Sequence, residues 1–159
     1  MIYLKTDEEV ELMRRSNDLL GRTLAEVAKV IRPGVTTAEL DKVAYEFICD
    51  NGGVPSCLGY EGYPATLCTS VNEQVVHGIP SNKVILKDGD IVSVDTVVKL
   101  GGFCADSAYT FPVGEVAPEV LQLMRTTKQA LYLGIEQAVT GRRLGDIGAA
   151  IQNHCEKAG

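Results

Sequence analysis

The stretch Lys87-Asp88-Gly89-Asp90-Ile91-Val92-Ser93-Val94-Asp95-Thr96-Val97-Val98-Lys99-Leu100-Gly101-Gly102-Phe103-Cys104-Ala105-Asp106 decides how this chain folds. Lys87 to Asp90 reads as a turn. Ile91 to Val98 is rich in β-branched residues and reads as a strand, with Phe103 to Val113 as its antiparallel partner across Gly101-Gly102. Strand alternation puts Asp95 on one face with Ile91, Ser93 and Val97. With Lys99 to Gly102 as the hairpin loop, Val98 pairs with Phe103 and Asp95 stands directly opposite Asp106, their Cβ atoms about 4.5–5.5 Å apart. Two carboxylates so placed repel each other unless one is protonated or a cation lies between them. Hard oxygen donors of this kind suit a pair of divalent metal ions, one carboxylate being able to bridge both. Asp88 and Asp90, by contrast, are turn residues that face solvent.

Outward from the hairpin, the chain reads as helices. Thr6 and Glu9 form a capping-box signature, and Asp7 and Glu8 suit the positive end of a helix dipole. Val10, Met13, Leu20, Leu24, Val27 and Ile31 recur at helical spacing until Pro33-Gly34. Thr36 and Glu39 open a second helix with Leu40, Val43, Ala44, Phe47 and Ile48 on one stripe, stopped by Gly52. Val54 to Lys87 reads as short strands and loops. The helical period returns from Pro118 to Val139, breaks at Gly141, and resumes from about Leu144 to Lys157. Gly34 to Leu40 resembles Gly141 to Ile147 at an offset of 107 residues, and the same offset carries Gly52 onto Gly159. The pattern suggests a duplicated unit whose second copy stops where its strands should start.

The 159 residues suffice for one domain with a real core. A net charge of −6 gives no electrostatic footprint for nucleic acid or an anionic membrane surface. No run approaches the roughly 20 apolar residues of a membrane span, and the N-terminus has no signal-peptide pattern. Five cysteines without a secretory signal read as reduced thiols in the cytoplasm, and none of their spacings is a CxxC zinc knuckle.

A second group of residues is denser in chemistry. Ser56-Cys57-Leu58-Gly59-Tyr60-Glu61-Gly62-Tyr63-Pro64 is followed by Cys68-Thr69-Ser70-Val71-Asn72-Glu73 and then by His77-Gly78-Ile79-Pro80. Together with Lys87-Asp88-Gly89-Asp90-Ile91-Val92, Asp95 and Asp106, this order of segments resembles the type I methionine aminopeptidases. The resemblance runs from the first helix to Gly159. It departs at Thr96-Val97, where many members have valine before threonine, and at Cys104-Ala105, where many have His-Gly.

The resemblance implies an α/β structure of the α+β type, the pita-bread (creatinase/aminopeptidase) fold. That is a curved antiparallel sheet backed by helices, here the first half plus the helices of the second. Residues 1–159 would be the N-terminal portion of a single catalytic domain whose C-terminal half is absent. Asp95 and Asp106 would be metal ligands, and His77 the catalytic, substrate-contacting residue near the scissile amide. Cys57, Tyr60, Tyr63 and Cys68 would border the pocket for the methionine side chain, where polarisable sulfur and aromatic edges suit a thioether. The cofactors would be two divalent ions of Co, Mn, Fe or Zn, with a monovalent cation near Asn72. One further histidine and two glutamates as ligands, and a second catalytic histidine, would come from the missing half. The reaction would be metal-dependent removal of the N-terminal methionine from nascent polypeptides, by a cytoplasmic monomer with the ribosome as a partner; the fragment alone would be inactive. The alternative is a non-catalytic pita-bread module that binds a protein. His154 reads as structural.

Overall fold

The structure, a computed structural model, describes residues 2–159, which form two compact units, residues 2–115 and 116–159. In the first, α1 (Asp7–Val30) begins at Thr6, whose hydroxyl accepts from Glu9 N–H at 3.2 Å while the Glu9 carboxylate accepts from Thr6 N–H at 2.9 Å. Thr36 and Glu39 repeat the same exchange at the start of α2 (Thr37–Asp50). Each box satisfies two of the N–H groups a helix start leaves unpaired. Four strands follow: β1 (Val54–Pro55), β2 (Cys68–Val71), β3 (Ile91–Leu100) and β4 (Phe103–Pro112), with a 3-10 turn at Tyr60–Gly62.

The long strand β3 organises the sheet. β4 pairs with it along its whole length, and β1 and β2 pair with it antiparallel in succession along the other edge. Burial alternates as the sequence pattern requires: Val92, Val94, Thr96 and Val98 are buried, while Ile91, Ser93, Asp95 and Val97 are half-buried. The buried face meets Val27, Leu40, Ala44, Leu67, Leu86 and Val113 at one end of the core and Leu19, Leu20, Ile48 and Ala105 at the other. Ser16 on α1 ties the hairpin to this layer, its hydroxyl 2.9 Å from the Leu100 carbonyl and 3.0 Å from that of Phe103.

The hairpin register corrects one expectation. The connection is Gly101-Gly102 alone, not Lys99 to Gly102, so Leu100 pairs with Phe103 and Lys99 with Cys104. Both glycines have positive φ, 59° and 91°, as a two-residue turn matched to the strand twist requires. The strands therefore run two pairs further than a four-residue loop would allow. Asp95 lies opposite Ala108, and Asp106 lies opposite Val97. Because the loop shortened by an even number of residues, the two aspartates still share a face, now as diagonal neighbours.

The second unit is a helical hairpin of α3 (Pro118–Gln137) and α4 (Leu144–Ala158). Gly134 allows close packing, since a Cβ there would stand 2.9 Å from Ile151 Cδ1. Arg143 N–H donates to Asp146 at 2.8 Å, the counterpart of the Thr36–Glu39 exchange 107 residues earlier, and Gly34 and Gly141 share φ values of 92° and 89°. His154, on α4, has a buried Nε2 with no hydrogen-bond partner among the described residues. Among those residues no helix is long and apolar enough to cross a membrane.

Candidate functional site

Asp95 sits at the centre of the residues that the sequence singles out. Its side chain emerges on the less covered face of β3, directly across from Cys68 on β2. Burial pushes its carboxyl above the ordinary value, and the negative charge of Asp106 pushes in the same direction. His77 and the Thr96 N–H act oppositely. Asp106 itself is exposed. No lysine or arginine is ion-paired with either aspartate among the described residues. The chemistry therefore favours a cation: two hard oxygen donors on one face, with the more buried one held against its own ionisation. The two do not complete a site. No group of three or more His, Cys, Asp or Glu able to hold a metal ion occurs among the described residues, and a divalent ion takes at least four ligands.

His77 lies near enough to Asp95 to favour its ionised form, on a backbone that local contacts explain. It has a left-handed φ of 60°, uncommon outside glycine. Gly78 then lies flat on β2: its N–H donates to Ser70 Oγ at 3.1 Å and its carbonyl accepts from Thr69 N–H at 2.7 Å. A Cβ at Gly78 would collide with the Thr69 carbonyl. Tyr63 closes the arrangement, its hydroxyl 3.0 Å from the Leu67 carbonyl and 3.2 Å from that of Gly78. Burial raises the Tyr63 hydroxyl's pKa, and the neighbouring Cys68 adds to this.

Cys57 lies two residues beyond β1, and its sulfur accepts the Val97 N–H at 3.3 Å. Cys68 is 7 % exposed. Burial is the main reason that both thiols have raised pKa values. Cys57, Tyr63, Cys68, His77, Asp95 and Asp106 thus form one neighbourhood. Tyr60 is different, 69 % exposed on the 3-10 turn. The Asn72 side chain is spent on structure, accepting from Ile91 N–H at 3.0 Å and donating to Asp90 at 2.8 Å. Thr96 explains one departure noted above: it points to the buried face and donates to the Thr66 carbonyl at 2.8 Å, whereas a valine-threonine order would place the hydroxyl on the Asp95 face.

Asp41, which the sequence reading passed over, anchors the site from below. One of its oxygens accepts from both Thr66 N–H and Leu67 N–H, at 2.9 and 2.7 Å, just before Cys68. The only signal in the sequence was an acid beside the apolar stripe of α2.

Comparison with known proteins places the chain in a class. The sequence profile of metallopeptidase family M24 matches residues 11–159, and the chain belongs to that family. Its relatives there are methionine aminopeptidases. That of Clostridium acetobutylicum is 46 % identical over 159 residues, which are 100 % of this chain and 64 % of the relative. The crystal structure of methionine aminopeptidase from Rickettsia prowazekii superimposes with a TM-score of 0.96 at 39 % identity, covering 99 % of this chain and 63 % of that one. The one from Thermotoga maritima gives 0.97 at 38 %, covering 100 % and 64 %. The fold is the pita-bread fold. The chain spans about 64 % of the length of the curated relatives it matches.

Proposed function

We propose that this chain is the N-terminal part of a single methionine aminopeptidase catalytic domain, and that the whole protein removes the initiator methionine from nascent polypeptides. The observation that supports this most is the pairing on one face of β3 and β4 of Asp95, its ionisation opposed by burial and by Asp106, with Asp106 itself, beside His77. In this reading Asp95 and Asp106 supply two of the ligands to a dinuclear centre of Co, Mn, Fe or Zn. When bound, such ions polarise a carbonyl and lower the pKa of water. His77 donates a hydrogen bond at the scissile amide. Cys57, Tyr63 and Cys68 border the methionine side chain, with Tyr60 at the outer rim. A monovalent cation near Asn72 would rest on main-chain carbonyls, because the Asn72 side chain is already committed.

The remaining ligands would come from further chain. The 107-residue offset supports this. On α2, Thr37, Leu40, Ala44 and Ile48 are buried under the first unit's core. Their counterparts on α4 are Leu144, Ile147, Ile151 and Cys155, of which Leu144 is 85 % and Ile151 36 % exposed. An apolar stripe of this kind is what a second sheet would cover. The same reading carries the cytoplasm as location, the ribosome as a partner, and a monomer when complete.

The test is methionine release from a Met-Ala-Ser peptide with added Mn or Co. The 159-residue chain should give no turnover above the metal-only blank, and the chain completed with the C-terminal part of a relative such as the Clostridium acetobutylicum protein should turn over. A completed protein that binds no metal and releases no methionine would instead support a non-catalytic binding module.

A further inference from the structure

Two cysteines flank one edge of β3 at the junction between β1 and β2. The Cys57 sulfur sits on the Val97 N–H, where a ladder partner would place a carbonyl. The Cys68 α-carbon faces that of Asp95 on the same edge. These anchor points are two residues apart on β3, a rise of about 7 Å. The Cys57 sulfur and the Cys68 α-carbon thus stand at neighbouring positions along one edge of the same strand. Consistent with this, the Cys68 thiol is close enough to contribute to the raised pKa of Cys57. In the structure both are free thiols.

We propose that Cys57 and Cys68 are an oxidisable pair, closed to a disulfide by a hydroperoxide. The sulfur of one cysteine attacks the peroxide, the O–O bond breaks, and a sulfenic acid and one water are formed. The second sulfur then attacks the first; the S–S bond forms, the S–O bond breaks, and a second water leaves. Two thiols are oxidised and one hydrogen peroxide is reduced to two waters. The bridge takes the Cys57 sulfur off the Val97 N–H and clamps residues 57–68, with the 3-10 turn they contain, against the face that carries Asp95. It depends only on the arrangement of these strands, and stands apart from the aminopeptidase reading.

Cys49, Cys104 and Cys155 are exposed and would react first with a peroxide, since burial keeps Cys57 and Cys68 protonated. The experiment therefore uses the 159-residue chain with Cys49→Ser, Cys104→Ser and Cys155→Ser. After treatment with hydrogen peroxide and alkylation with N-ethylmaleimide in denaturant, the expected result is loss of both alkylation sites and of two hydrogen atoms from the intact mass. Cleavage after Glu46, Glu61 and Glu73 puts Cys57 and Cys68 on separate peptides, which should stay joined until dithiothreitol is added. Adding Cys57→Ser should abolish the joined pair. Two alkylated thiols, sulfinic acids on separate peptides, or a link that forms as fast in urea as in the folded chain would each overturn the proposal.

Discussion

The hydroxyl of Tyr63 is bound to the carbonyl of Gly78, 3.2 Å away, so the loop before β2 is tied to the residue that follows His77. The same hydroxyl reaches the Leu67 carbonyl. A neutral hydrogen bond of this kind contributes about 0.5–1.5 kcal/mol net. Tyr63→Phe should therefore lower unfolding stability in urea by about 1 kcal/mol. A midpoint unchanged from wild type would show that the tie is not formed in solution.

His77 and Gly78 should separate function from stability. Gly78→Ala places a methyl group against backbone that cannot move aside, and overpacking of this sort costs about 1–3 kcal/mol. His77→Gly instead relieves a left-handed φ, and the greater freedom of glycine in the unfolded chain offsets that gain. Its stability should stay within about 1 kcal/mol of wild type. In the completed protein, loss of a hydrogen bond that strengthens in the transition state should still lower turnover about 10²–10³-fold. Thermal melts beside steady-state kinetics read both. A strongly destabilised His77→Gly would mean that the residue is there for packing.

Asp41 gives a pH signature. Asp41→Ala leaves the buried N–H groups of Thr66 and Leu67 unpaired, at about 1–3 kcal/mol each. Asp41→Asn keeps an acceptor oxygen and should cost far less. Burial raises the Asp41 carboxyl above its ordinary 3.8, against two N–H bonds that lower it. A raised carboxyl in the folded state contributes its full stability below the unfolded value and loses it as pH rises through the folded one. Relative to wild type, Asp41→Asn should gain stability from pH 3.8 upward and then level off. Denaturant titrations across that range would show it; a gain on acidification would reverse the sign and remove the argument.

Much of this was legible in the sequence because it is local. Thr6 with Glu9 and Thr36 with Glu39 fix helix starts within one turn, and the alternation of Ile91 to Val98 fixes which face Asp95 occupies. The hairpin register was misread because Gly101-Gly102 can close a turn unaided, a property of two φ angles rather than of the flanking pattern. The approach of His77 was not legible from local pattern, because it depends on Gly78 lying against Thr69, nine residues away. The structural work of Tyr63 and Asp41 was hidden for the same reason: their partners are main-chain groups, which carry no sequence signature.

The central claim is that Asp95 and Asp106 are metal ligands while His77 is not. Calorimetric titration of the completed protein with Mn, wild type beside Asp95→Asn, Asp106→Asn and His77→Ala, tests it most directly. An amide oxygen brings no charge to offset the metal. Both aspartate variants should therefore lose metal affinity, while His77→Ala keeps the wild-type stoichiometry. Full Mn binding by Asp95→Asn, or loss of an ion in His77→Ala, would contradict the account.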